Sequence, residues 1–192
     1  FLAVSVAPEQ AWFTDRAMTR IALARFQEAG FACRKAGLRG IAVDVSALHP
    51  LLDYRWPRYD LAHMPAPAIA QSARDFGRRA LRAFLREYPR GEMLVMDRAD
   101  SAVGPLWFAL FNGLVESLGA ADDLRIHLLT RETWNTTTPE ALRISLDRLN
   151  RRLCDRMDPE TLALWRGQGG LAAGIRPIEL LPAGLGLTAS EE

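Results

Sequence analysis

Apolar and polar positions along the chain follow two rhythms, and the switches between them mark out the elements. Short, largely apolar runs fall at 1–7, at 41–45 (IAVDV), at 92–96 (EMLVM) and at 124–129 (LRIHLL). Their length suits buried strands of a parallel sheet. Between them the period lengthens to that of a helix. Phe13, Ala17, Ile21 and Ala24 share one face of a stretch that opens at Pro8 and closes at Gly30. A strongly amphipathic helix is predicted over 68–88, with Phe76, Ala80 and Phe84 on its buried side. The segment 105–118 (PLWFALFNGLVESL) is apolar nearly all round, which predicts burial on most sides. Thr138-Pro139 and Asp158-Pro159 each set an N-cap residue before a proline, which predicts helices over 139–157 and 159–166. The glycine-rich stretch 167–174 reads as a break before a last apolar stretch at 177–181.

This alternation predicts a Rossmann-like three-layer α/β domain with a mainly parallel central sheet. At 192 residues the chain is expected to form one domain. It opens directly into a strand at Phe1, so it reads as lacking upstream residues or a whole upstream domain, and an upstream domain or a partner chain is expected among its partners. The connection 49–67 (HPLLDYRWPRYDLAHMPAP) is long and rich in proline and aromatics, a candidate lid. Open parallel sheets bind ligands at the carboxyl ends of their strands. That rule places a candidate cleft after the first and third strands, lined by Ser5, Glu9, Gln10, Asp97 and Asp100.

Composition narrows the choice of partner. The 24 basic and 23 acidic side chains leave a net charge of +1, which excludes a basic nucleic-acid arm but not a local patch. Every basic residue except Lys35 is arginine, as the codon usage of a GC-rich genome would give, so an arginine is not by itself a choice over lysine. Cys33 and Cys154 stand far apart with no histidine at ligand spacing; neither a disulfide framework nor a zinc site is expected, and a reducing, cytoplasmic location fits. No apolar run approaches the roughly 20 residues that span a bilayer, so no membrane role is expected. Of the histidines, His127 sits inside a strand, while His49 and His63 lie on the long loop. Asp44 and Ser46 end the second strand. No group has metal-ligand spacing, and neither a metal nor a cofactor is expected.

The first strand-to-helix turn carries neither GxGxxG nor GxxxxGK[ST], and Glu9 there has the wrong sign for a phosphate at a helix N-terminus. Ser5 is the one nearby hydroxyl nucleophile. The helix over 68–88 offers a clearer signal: Arg74, Arg78, Arg82 and Arg86 recur every fourth residue, with Arg79 alongside. Steps of four advance about 400°, so the row drifts by about 40° per step and forms a slanting basic ridge. Such a ridge can follow the phosphates of a polyanion; the plainer reading is a solvated helix face paired with residues such as Asp75 and Glu87.

Set in order, these pieces resemble the cyclodipeptide synthases, single Rossmann-like domains akin to a class I aminoacyl-tRNA synthetase core. Ala7-Pro8-Glu9-Gln10-Ala11-Trp12-Phe13 is similar to the turn that carries that family's nucleophile, with alanine at the nucleophile position and Ser5 two residues earlier. The segment 175–182 (IRPIELLP) is similar to the family's late motif, with Ile175 in place of its tyrosine. The resemblance implies an aminoacyl transferase acting on a nucleotide- or tRNA-linked substrate. It implies catalytic roles for Ser5 and Glu179, pocket-shaping roles for Gln10 and Trp12, and tRNA contacts for the arginine ridge. A second likeness competes: 100–129 resembles the loop-helix-strand unit of nucleotide-sensing domains of the CARF and SAVED type. It implies a binding module that regulates an attached effector.

Overall fold

A computed structural model describes residues 1–4, 14–44, 59, 61–97, 105–119, 123–130, 133 and 136–173. The elements alternate as expected: β1 (Leu2–Val4), α1 (Arg16–Ala36), β2 (Gly40–Asp44), α2 (Ala66–Glu87), β3 (Arg90–Asp97), α3 (Pro105–Val115), β4 (Asp123–Thr130), α4 (Pro139–Cys154), α5 (Pro159–Gln168) and β5 (Gly169–Ala173). The five strands form one all-parallel sheet in the order β1-β2-β3-β4-β5. The chain therefore has the Rossmann-like α/β architecture that its alternating pattern predicts. No helix among the described residues is long and apolar enough to cross a membrane.

The strand order rises without a reversal, so among the described strands there is no switch point of the kind that opens a ligand crevice in doubly wound sheets. Right-handed crossovers that always advance in one direction bring successive helices side by side. The packing agrees: α1 lies against α2, α2 against α3, and α3 against α5. Facing them, Val4, Ile41, Val43, Met93, Val95, Leu124, Ile126 and Leu128 are buried. On the opposite side of the same strands, Ala42, Leu94, Met96, His127 and Leu129 are only half-buried and Ala3 and Arg125 are exposed. The period-2 alternation thus separates a dense face from a more open one.

Several boundaries differ from the sequence pattern, each for a physical reason. Helix α1 starts at Arg16 because Asp15 caps it, its carboxylate accepting from the Ala17 and Met18 backbone N–H groups at 2.7 and 3.0 Å. It does not end at Gly30. That glycine lies mid-helix, where a Cβ would sit 2.6 Å from the Phe84 carbonyl oxygen, so it permits α1 to approach α2. The left-handed residue that ends the helix is Gly37, at φ 63°. Helix α2 begins two residues early because Pro67 is accommodated in its first turn. The glycine-rich stretch, expected to break the pattern, instead supplies the edge strand β5; the stretch 177–181 lies outside the described residues.

Candidate anion-binding groove

Helix α2 owes its position to its apolar stripe. Ile69, Ala73, Phe76, Ala80, Leu81 and Phe84 are buried, and Phe76 meets Phe26 of α1 edge to face with ring centroids 6.3 Å apart. On its other flank Gly77 faces the Leu110 carbonyl of α3, while Gly113 of α3 faces the Arg74 carbonyl. Neither contact leaves room for a Cβ, so the two backbones lie unusually close. Wedged between α1 and α3, the helix turns different parts of its arginine row toward different neighbours.

The first two arginines turn toward α3. Arg78 donates from Nη2 and Nε to Glu116 Oε2 at 2.8 and 3.3 Å, and from Nη1 to Asp75 Oδ1 at 3.0 Å. Arg74 pairs with the other Glu116 oxygen and donates to Asp158 Oδ2 at 2.8 Å. Asp158 is also the N-cap of α5, its Oδ1 accepting from the Thr161 N–H at 2.9 Å. The Thr161 hydroxyl reaches Glu116 Oε1 at 3.3 Å. Burial alone would raise the Glu116 carboxyl, but its two arginine partners outweigh that and hold it below the usual range. The Thr161 N–H, with Arg74, does the same for Asp158. Two guanidinium groups here meet three carboxylates (Asp75, Glu116, Asp158), beside a cavity of about 620 Å³ that Glu160 also lines. This cluster locks α2, α3 and α5 together and offers little positive charge to a ligand.

The later arginines turn the other way. Arg79, Arg82 and Arg86 meet Arg20, Leu23, Ala24 and Gln27 of α1 around a groove of about 410 Å³. All four arginines are exposed, and none of their side chains has a hydrogen-bond or ion-pair partner among the described residues. Among the described residues, no carboxylate lines the groove. Glu87, the nearest acid along α2, accepts from Gln27 at 3.1 Å and is tied to Arg34 at 3.1 Å. Four guanidinium groups unpaired among the described residues thus gather around one concave surface, a local concentration of positive charge on a chain whose net charge is only +1.

The structure thus divides the sequence-defined ridge. Arg82 and Arg86 come together with Arg79 and with Arg20, while Arg74 and Arg78 are held in the carboxylate cluster. Arg20 was missed because the arginines it joins lie on another helix; its signal is the exposed stripe Arg20, Ala24 and Gln27 along the edge of α1 that borders α2. Ser5, Glu9, Gln10, Trp12, Asp100 and Glu179 lie outside the described residues, as does His49. Asp97 is the last residue of β3, at its carboxyl end, in register with Thr130. His127 is half-buried with Nε2 3.8 Å from Glu92 Oε2, and Glu92 also takes Arg39 Nη2 at 2.5 Å. Among the described residues no three His, Cys, Asp or Glu side chains gather as a metal site.

No protein-family model matches the chain, and no curated protein and no solved structure matches it.

Proposed function

We propose that this chain is a nucleic-acid-binding α/β module that grips a phosphate backbone in the groove between α1 and α2. The observation that carries the reading is the set Arg20, Arg79, Arg82 and Arg86, four exposed arginines on one concave surface that have no partner among the described residues. Guanidinium groups present planar, forked donors that match phosphate oxygens, and their binding releases the counterions condensed on a polyanion. A chain with a net charge of only +1 has no general attraction for polyanions, so binding would be confined to this groove.

The test is titration of a nucleic acid at several salt concentrations against two double variants. Replacing Arg82 and Arg86 with glutamine should weaken binding and flatten the plot of log K against log salt by about 0.7–0.9 for each phosphate contact removed. The fold should hold, since exposed unpaired charges contribute little to stability. Replacing Arg74 and Arg78 with glutamine should instead loosen the fold and leave the salt slope where it was. An unchanged slope in the Arg82, Arg86 variant overturns the proposal.

A further inference from the structure

Resting on the nucleic-acid reading above, we infer that the groove takes a single strand rather than a duplex, and that Phe31 is the platform on which one of its bases stacks. Positions 20, 24, 27 and 31 of α1 form one stripe: eleven residues advance about 1100°, which returns Phe31 to within about 20° of Arg20. Phe31 therefore continues the arginine-lined wall one turn beyond Gln27, about 6 Å along the axis. It is 49% exposed, a large aromatic surface left to solvent at the end of a polar groove. Two cations lie over the ring, Arg34 Cζ at 5.5 Å and Lys35 Nζ at 6.0 Å from its centroid, close enough to contact the phosphate of a nucleotide stacked on the other face. Arg34 is in turn braced by Glu87 at 3.1 Å, which ties this end of α1 to α2.

A single exposed phenylalanine is ordinary on a protein surface. What distinguishes this one is its place on the α1 stripe that begins at Arg20 in the groove, and the two cations over its ring. A backbone-tracking basic groove with an interleaved aromatic ring is the combination that recognises unpaired bases, because every base offers a π-face and a duplex does not expose one. The same surface chemistry, basic with an exposed aromatic, also suits an anionic lipid surface. The arginines line a cleft between two helices, however, and a flat bilayer reaches the rim of a cleft better than its interior.

Fluorescence anisotropy with a labelled single strand, the matching duplex and inorganic polyphosphate tests this. Phe31→Ala and Phe31→Leu should each weaken the single strand about tenfold, while Phe31→Trp keeps or tightens it. Duplex and polyphosphate should bind these variants as they bind the parent, and R82Q/R86Q should weaken all three ligands. If R82Q/R86Q acts but Phe31→Ala leaves the single strand unchanged, the stacking role is wrong and the phosphate groove stands. If R82Q/R86Q changes nothing, the groove reading itself fails. Binding to phosphatidylserine vesicles that is lost in Phe31→Ala, with the single strand unaffected, assigns the ring to a lipid surface and overturns the inference.

Discussion

Glu116 is the residue on which three helices converge. Its side chain is only 14% exposed, and it accepts from Arg74 and Arg78 of α2 and from Thr161 of α5. Removing its charge leaves two half-buried guanidinium groups short of an acceptor. Glu116→Gln should therefore cost about 2 kcal/mol, the worth of hydrogen bonds to a charged group in a largely desolvated setting. The pH dependence follows from the direction of the shift. The folded carboxyls of Glu116 and Asp158 lie below their ordinary values of 4.5 and 3.8, so their stabilisation is complete above those values. It is lost as pH falls through the folded values. Denaturant melts between neutral pH and pH 3 should show the parent losing stability on acidification, and Glu116→Gln losing less of it. An identical acid limb in both proteins would remove Glu116 from the account.

At the scale of elements, close approach of helix backbones governs what can be built. Gly113 lets α3 come near enough to α2 for Glu116 to reach Arg74 and Arg78, and Gly30 does the same for α1 and α2. A Cβ at Gly113 would collide with the Arg74 carbonyl, which belongs to backbone and cannot swing aside. Gly113→Ala should destabilise by about 1–3 kcal/mol despite alanine's better helix propensity. Gly167 in α5 is the contrast, with nothing within 4 Å of where a Cβ would sit, so Gly167→Ala should be neutral or stabilise by up to about 1 kcal/mol. Equal effects in chemical denaturation would show that helix spacing is not set by these contacts. The same physics explains what the sequence made legible. Periodicity located the helices and strands, because burial writes it directly into residues such as Phe76, Ala80 and Phe84. It could not tell a helix-ending glycine from a contact glycine, since Gly30 and Gly37 differ in backbone conformation and in what lies beside them, neither of which a hydrophobic pattern records. Nor could it see that the small residues Gly169, Gly170, Ala172 and Ala173 pair as a strand, because their pairing uses backbone groups alone.

For the whole molecule, the decisive fact is that balanced charge conceals an unbalanced groove. The slant of the α2 row turns its two halves toward different neighbours, and the carboxylates those neighbours bring neutralise Arg74 and Arg78 but not Arg79, Arg82 and Arg86. The charge count of the sequence hid this, since 24 bases against 23 acids gives no hint that four of the former stand together with no partner among the described residues. A ligand that binds this groove in the native state, and has no such grouping to bind in the unfolded chain, must raise the stability of the fold. At a free concentration a hundred times its dissociation constant the gain is about 2.7 kcal/mol. Thermal melts with inorganic polyphosphate should thus shift upward at low salt and lose the shift as salt is added, because counterion release drives the binding. In R82Q/R86Q the ligand-free melt should match the parent and the polyphosphate shift should shrink. The Arg74, Arg78 glutamine variant should do the reverse, melting lower without ligand while gaining the parent's increment with it. A polyphosphate shift that survives in R82Q/R86Q and disappears in the other variant would move the binding surface to the α3 side of α2.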